Sequence, residues 1–194
     1  MGFSTLLDIL GSTVIGALLL LILFRINDTA VKNAFSYNGE LMVQVGLVET
    51  VSLIEHDFRK MGYCETWENM SDPTNSIIYA DSNRITFLTD LPVALNANGD
   101  GIVDTLHYYT GTTSELASTD NPKDRLLYRV INSATPSSSN VGVTMFKITY
   151  FDSFGEKINP PITGASTGSI HTLQIDLEIE SVYGYDKQYS SVFW

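Results

Sequence analysis

Oxygen-bearing side chains recur at alternate positions in the segment Asn-Ala-Asn-Gly-Asp-Gly-Ile-Val-Asp, which spans residues 96–104. A tight calcium loop has the same arrangement, with a glycine in sixth place and a backbone carbonyl in seventh place. His107 stands where such a loop carries its bidentate glutamate, so another carboxylate would have to complete the site. The predicted calcium ligands are Asn96, Asn98, Asp100, Ile102 and Asp104, completed by Asp90. Asn, Gly and Asp also form ordinary turns before a strand, so a turn without calcium is the alternative.

A second motif, Gly-Ala-Ser-Thr-Gly at 164–168, matches the Gly-x-Ser-x-Gly pattern of a nucleophile elbow. An elbow requires a strand before the serine, a helix after it, and a histidine and an acid as partners. Here the motif follows two prolines and precedes a predicted strand, and no Asp lies between Ser166 and the only later histidine, His171. We therefore interpret this segment as a loop and expect no enzymatic activity.

Asp8 directly precedes an uncharged run from Ile9 to Phe24. At about 1.5 Å per residue, this run reaches roughly 24 Å as a helix, close to the thinner end of a bilayer core. Extending the helix back to Phe3 gives full spanning length and places Asp8 inside the hydrocarbon. An ionisable side chain is costly there and needs a partner, which we expect to be the amino terminus of a neighbouring subunit.

Small residues lie in the same run at helical spacing. Ser12 and Gly16, like Thr13 and Ala17, are four residues apart, so another helix can approach closely on that side. The predicted assembly residues are Phe3, Asp8, Ser12 and Gly16. A removable signal peptide is the alternative for this run, but no basic segment precedes it and no small-x-small cleavage site follows it.

Beyond Arg25 the apolar residues become periodic, which predicts that the helix continues in amphipathic form. They are Leu41, Val45 and Val48, followed by Leu47, Val51, Ile54, Phe58 and Met61. No proline occurs before Pro73, and Gly62 favours a helix end. We therefore expect a membrane-spanning or filament-core helix over 1–26, an amphipathic continuation over 27–62, and a globular head over 63–194.

The head has the pattern of a β-rich domain. Predicted strands cover 77–79, 84–89, 103–110, 125–131, 143–151 and 169–183, with polar loops at 133–140 and 159–169. In the last strand Ile and Leu alternate with polar residues that include Glu180, which is typical of an antiparallel strand buried on one face. Residues 189–194 are expected to form an edge strand or a contact surface. The fold class expected is α+β, with an antiparallel sheet packed on the long N-terminal helix.

Composition restricts the classes of partner. The chain has 11 Lys plus Arg against 22 Asp plus Glu, a formal net charge of −11, which argues against nucleic acid as a partner. The single cysteine, Cys64, cannot form an internal disulfide. No cofactor is required by these patterns, and calcium is the one ion they suggest.

This layout resembles type IV pilin-like proteins. The segment Gly-Phe-Ser-Thr-Leu-Leu-Asp at 2–8 is similar to the prepilin peptidase motif, which would place processing after Gly2. The segment Leu-Ile-Glu-His-Asp-Phe-Arg-Lys-Met-Gly-Tyr at 53–63 resembles the helix ending of minor pilins and of J-type pseudopilins of type II secretion. Shorter segments that resemble the family's sequence follow in the family's order at 85–87, 106–109, 127–129 and 146–155, so the resemblance covers nearly the whole chain.

Two features depart from the family pattern. The family's acidic residue is fifth after the cleavage point, whereas Asp8 is sixth after Gly2. Either Met1 is already the mature start, or this lineage positions Asp8 differently. The proline usual in the apolar helix is also missing, so the helix melting that it permits on assembly is not implied.

The resemblance implies a structural subunit of a type IV pilus-like or pseudopilus filament, with no reaction of its own. Its partners would be copies of itself or other pilin-like subunits, joined through the N-terminal helix. It would reside in the inner membrane before assembly and then in an extracellular or periplasmic filament. The alternative is a single-pass, membrane-anchored extracellular binding module that does not polymerise.

Overall fold

The chain forms one long helix and an antiparallel sheet. The computed structural model describes residues 2–94, 96–184 and 187–194. The helix, α1, spans Gly2–Arg59. The strands are β1 Ile77–Ala80, β2 Arg84–Thr89, β3 Asp104–Thr110, β4 Arg125–Ile131, β5 Ser137–Phe151, β6 Lys157–Ile158, β7 Ile162–Thr163, β8 Thr172–Glu180 and β9 Ser191–Phe193. Short 3-10 helices lie at Trp67–Asn69, Pro73–Asn75, Thr113–Leu116 and Gly164–Ser169. The predicted α+β class is confirmed.

All of these strands belong to one curled antiparallel sheet. Its order is β7-β1-β2-β3-β4-β5-β8-β9, and β6 pairs with β5 outside this path. Neighbours in the centre of the sheet, from β1 to β5, are consecutive in sequence, as is usual for antiparallel strands. The chain end forms the edge strand β9, which was one of the two predictions for this segment.

The core lies between the second half of α1 and one face of this sheet. Ile54 of α1 is fully buried, and Phe58 makes edge-to-face contacts with Phe87 and Tyr108, with ring centroids 5.2 and 5.4 Å apart. Aromatic pairs in this geometry add to the free energy of burial. Leu47, Val51 and Met61 are partly buried against the same cluster. The apolar stripe that the spacing of these residues predicts is therefore the face of α1 that packs against the head.

The other predicted apolar positions on α1 do not face the head. Leu41, Val45 and Val48 are 51%, 51% and 64% exposed, and Val43 between them is buried instead. The two sets of apolar residues lie on different sides of the helix, and one sheet covers only one side. We call Leu41, Val45 and Val48 the outer stripe.

Several predicted boundaries shift in the structure. The loop predicted at 133–140 is wrong from Ser137 onward, because β5 begins there and its backbone pairs Ser137 with Arg129 of β4. Backbone pairing needs no apolar side chain, so this polar stretch carries no periodic signal. The last long strand is Thr172–Glu180 rather than 169–183. The loop predicted at 159–169 contains β7 and a 3-10 helix.

The helix ends before the predicted glycine. Regular α-helical structure stops at Arg59, and two turn residues lead to Gly62, whose φ of 72° is the left-handed conformation that favours glycine. The Gly62 N–H then donates to the Leu88 carbonyl at 2.9 Å, and the Asp90 N–H donates to the Tyr63 carbonyl at 2.9 Å. The end of α1 is thereby tied to the end of β2.

Candidate functional site

The first part of α1 is exposed along its length, and its end, near Lys32 and Phe35, borders the head at Ser181 and Tyr183. Every residue from 2 to 38 is exposed, although most of them are apolar. Within the described part of the chain, α1 is the one helix long and apolar enough to cross a membrane, and its apolar window is wholly unburied. Apolar patches of this size mark membrane or protein contact surfaces. The exposed half of α1 is therefore the candidate functional surface.

The predicted assembly residues lie on this surface. Asp8, Ser12 and Gly16 follow each other in steps of four, which places them along one side of the helix. Phe3 is 81% exposed near the helix start, and Gly2 is the first described residue of α1. No hydrogen bond or ion pair to Asp8 occurs among residues 2–94, 96–184 and 187–194.

The small residues of this side are suited to helix contact. The Ser12 hydroxyl donates to the Ile9 carbonyl at 2.9 Å, and the Thr13 hydroxyl donates to the Leu10 carbonyl at 2.9 Å. Both polar groups are thus satisfied inside their own helix, which removes most of the cost of placing them in an apolar environment. A Cβ atom at Gly16 would meet nothing within 4 Å in the same chain. A larger residue there would disturb only contacts with other molecules.

A buried ion pair fixes α1 to the head. Arg129 of β4 donates from Nε and Nη2 to the two carboxylate oxygens of Asp57, at 2.6 and 3.2 Å. The Tyr108 hydroxyl donates to Asp57 Oδ2 at 2.6 Å, and His56 Nδ1 lies 3.3 Å from Oδ1. Asp57 is 1% exposed, so these donors compensate its removal from water.

The pKa shifts in this cluster follow from the same contacts. Burial alone would lower the pKa of Arg129, but the hydrogen bond and charge of Asp57 raise it overall. Burial, and then the Asp57 charge, raise the pKa of the Tyr108 hydroxyl far above its usual range. Arg129 is therefore charged and Tyr108 protonated at any physiological pH.

Sequence reasoning did not identify this cluster. In the sequence patterns, Asp57 stands only within the segment that resembles the family's helix ending. A signal was present, because Asp57 lies three residues after Ile54 and one before Phe58, inside the stripe that faces the head. A charge in a buried stripe requires a partner, but the position of Arg129 could not be derived from spacing.

The predicted calcium loop is arranged around Asp90. The backbone N–H groups of Asp100 and Gly101 donate to the Asp90 carboxylate at 3.1 and 2.9 Å, and that of Glu65 donates at 3.0 Å. Gly99 has a φ of 132°, and a Cβ there would overlap this carboxylate, so the loop requires glycine at that position. Asp90 itself is fully buried.

Three of the other predicted calcium ligands, Asn96, Asp100 and Asp104, accept hydrogen bonds from the protein. Asn96 Oδ1 accepts from the Asn98 N–H at 3.0 Å, and Asp100 Oδ1 accepts from the Ile102 N–H at 2.9 Å. Asp104 accepts from the Leu91 N–H at 3.2 Å and from the Asn132 amide at 2.8 Å. No group of three or more His, Cys, Asp or Glu side chains suited to a metal ion occurs among the residues that the structure describes.

Two neighbouring side chains also contact this loop. The Lys60 ammonium donates to the Ala97 and Asn98 carbonyls at 3.4 and 3.1 Å. The Cys64 thiol lies 3.5 Å from the Gly101 carbonyl and 3.8 Å from Asp90 Oδ2, and burial raises its pKa. The thiol is therefore protonated at neutral pH and acts as a buried small side chain.

The Gly-x-Ser-x-Gly segment does not have the geometry of an elbow. Residues 164–168 lie inside a 3-10 helix, Gly164–Ser169, which follows the two-residue strand β7. The Ser166 carbonyl accepts from the Ser169 hydroxyl at 2.7 Å. Both Ser166 and His171 are exposed.

A polar cluster was also missed at the other end of the sheet. Glu180, expected to face water, is buried and accepts from Lys123 Nζ at 2.8 Å and from the Asn121 amide at 2.9 Å. Nearby Asp124 is 1% exposed, and neither of its carboxylate oxygens has a hydrogen-bond partner in the described part of the chain. Burial, with a smaller contribution from the charge of Glu180, raises the pKa of Asp124 to about 6.

Comparisons with protein-family models, with curated proteins and with solved structures give no match for this chain.

Proposed function

We propose that this chain is a structural, pilin-like subunit that inserts α1 into a membrane and assembles through that helix with other subunits. Its partners would be copies of itself or related subunits, first in the inner membrane and then in an extracellular or periplasmic filament. No enzymatic activity is part of this proposal. The support is the length and composition of the exposed part of α1.

That exposed part is longer than a bilayer needs. Residues 2–38 reach about 55 Å at 1.5 Å per residue, whereas a bilayer core is about 30 Å thick. Beyond Arg25 the exposed helix still carries Ile26 and Val31, 60% and 54% exposed, and then the outer stripe. Apolar side chains outside the lipid gain free energy only if another protein surface covers them. This observation favours assembly over a membrane anchor that acts as a monomer.

The side chains near the helix start support the same proposal. Asp8 shares one helix side with Ser12 and Gly16, and close helix approach on that side would bring the carboxylate near another subunit. A cation from that subunit, such as its amino terminus, would compensate the buried charge. In this way Asp8 would specify the axial position at which a new subunit docks.

Gly16→Leu tests this proposal. The substitution meets no atom of its own chain, so the head should fold as before while close helix contact is blocked. Gly16→Ala is the matched control, since it raises helix propensity in the same way but adds one methyl group. We expect a large loss of filament yield for Gly16→Leu and a small change for Gly16→Ala, measured by pelleting and electron microscopy. Equal yields from all three proteins would contradict the proposal.

The second candidate is the membrane-anchored binding module. It is favoured by one observation, an open depression on the outer face of the sheet that is lined by Arg84 and His107 among others. In that case the chain would remain monomeric in detergent and in membranes, and neither Gly16 variant would change its state.

A further inference from the structure

The face of the sheet turned away from α1 contains a depression of about 390 Å³. In β2, Ile85 and Phe87 point into the core, so Arg84 and Thr86 point to the other face. His107 and Tyr109 of β3 lie directly opposite them in the register, and Tyr79 of β1 lies opposite Thr86. Val130, Asn132 and Pro136 complete the lining. Most of these side chains are held on paired strands, which fixes their relative positions.

Arg84 is the cationic centre of this depression. Its guanidinium carbon lies 5.0 Å from the centre of the Tyr109 ring, and that ring stacks on Tyr128 with centroids 4.8 Å apart and planes at 15°. A cation–π contact with one ring leaves N–H groups of a guanidinium available for a carboxylate. None of the ion pairs in the described parts of the chain includes Arg84.

His107 supplies a neutral polar group beside Arg84. Its Nδ1 lies 2.9 Å from the Thr86 hydroxyl, which leaves Nε2 for another partner. Burial, and then the charge of Arg84, lower the pKa of His107, so the imidazole is neutral at pH 7. A neutral imidazole can exchange a hydrogen bond with a hydroxyl group of a ligand.

We propose that this depression binds a saccharide that carries a carboxylate, such as a uronic acid. One unpaired guanidinium matches one carboxylate, the neutral imidazole matches a ring hydroxyl, and the half-buried Tyr79 and Tyr109 side chains offer apolar surface to the sugar ring. An acidic peptide or a nucleic acid would bring several negative charges to a site with a single cation on a chain of net charge −11. The proposal does not depend on filament assembly.

The test is calorimetric titration of the full chain in detergent micelles. The probes are a trisaccharide with one galacturonic acid and two galactose residues, the corresponding galactose trisaccharide and a glutamate tripeptide. We expect the acidic trisaccharide to bind most tightly, and Arg84→Gln to weaken it about tenfold or more, the loss typical of a hydrogen bond between charged groups. Lys147→Gln is the matched control, because it removes one charge from an exposed position on β5, outside the depression, and should leave the affinity unchanged.

Three results would overturn the proposal. They are no binding of the acidic trisaccharide at millimolar concentration, an affinity that Arg84→Gln leaves unchanged, and tighter binding of either the tripeptide or the neutral trisaccharide. Arg84 is exposed and outside the core, so loss of folding should not confuse the result, and the melting midpoint of the variant checks this directly.

Discussion

Arg129 Nε lies 2.6 Å from Asp57 Oδ2, and this ion pair joins the last turns of α1 to the middle strands of the sheet. The pair sets the rotation of the helix relative to the head, because Asp57 and the core residue Ile54 lie on the same side of α1. The outer stripe and the exposed apolar half are then presented away from the head.

Removing one partner of this ion pair should destabilise the head strongly. Arg129→Met leaves Asp57 buried without its main counter-charge, which typically costs about 3–5 kcal/mol. Denaturant unfolding of the full chain in micelles measures this loss. Arg59→Gln is the control, since Arg59 and Glu55 form an exposed pair that contributes little. A loss for Arg129→Met no larger than that of the control would show that the ion pair does not hold the helix.

Asp124 should make the head less stable above pH 6 than below it. Its folded pKa of about 6 exceeds the ordinary value of 3.8, so between these values the folded state binds more protons than the unfolded state. The free energy of unfolding therefore rises as pH falls through this window. Above the window Asp124 is charged in both states, and the full cost of burying its charge destabilises the head. Asp124→Asn should flatten this part of the profile and stabilise the head at pH 7.5 by about 1–3 kcal/mol. Asp120→Asn, a change at an exposed neighbour, should leave the profile as it is.

Calcium is expected to raise the melting midpoint, as the sequence of residues 96–104 predicts. An ion that binds only the folded loop stabilises it by mass action, by about 2.7 kcal/mol at a concentration of 100 Kd. Melts of the full chain in calcium and in chelator measure the shift, and Asp100→Asn should reduce it. Identical midpoints would mean that the loop is ordered without calcium, by the hydrogen bonds that it donates to Asp90 and accepts from Lys60.

Asp8→Asn should slow or abolish assembly while membrane insertion persists or improves. The substitution keeps the shape of the side chain but removes the charge that would pair with an incoming subunit, and it lowers the cost of entering lipid. Filament yield and membrane fractionation of the same cells separate the two effects. Normal filaments from this variant would remove Asp8 from the assembly mechanism.

The sequence predicted regular elements better than their tertiary contacts. The bounds of β2 and β4 agree with the prediction, because each strand is a short run rich in apolar residues between polar turn segments. The start of β5 was missed, because Ser137 contributes backbone pairing and no apolar side chain. The burial of Val43 rather than Leu41 depends on which side of α1 the sheet covers, and periodicity alone does not decide that.

For the candidate sites too, the sequence predicted features within one helix but not contacts between distant residues. Asp8, Ser12 and Gly16 could be found from composition and spacing, because their environment is their own helix. The pairing of Asp57 with Arg129 joins residues 72 positions apart, and the depression around Arg84 requires the register of four strands. Such contacts follow from the sheet topology, which one sequence does not specify.

Electron cryomicroscopy of the purified assembly tests the central claim most directly. We expect a helical filament in which residues 3–24 of neighbouring subunits form a lipid-free bundle, with the Asp8 carboxylate within about 6 Å of a cationic group, the range over which an opposite charge matters. The outer stripe should be covered by another subunit in the same map. Particles that contain a single copy with α1 surrounded by detergent, or a filament in which this helix contacts no neighbour, would contradict assembly through α1.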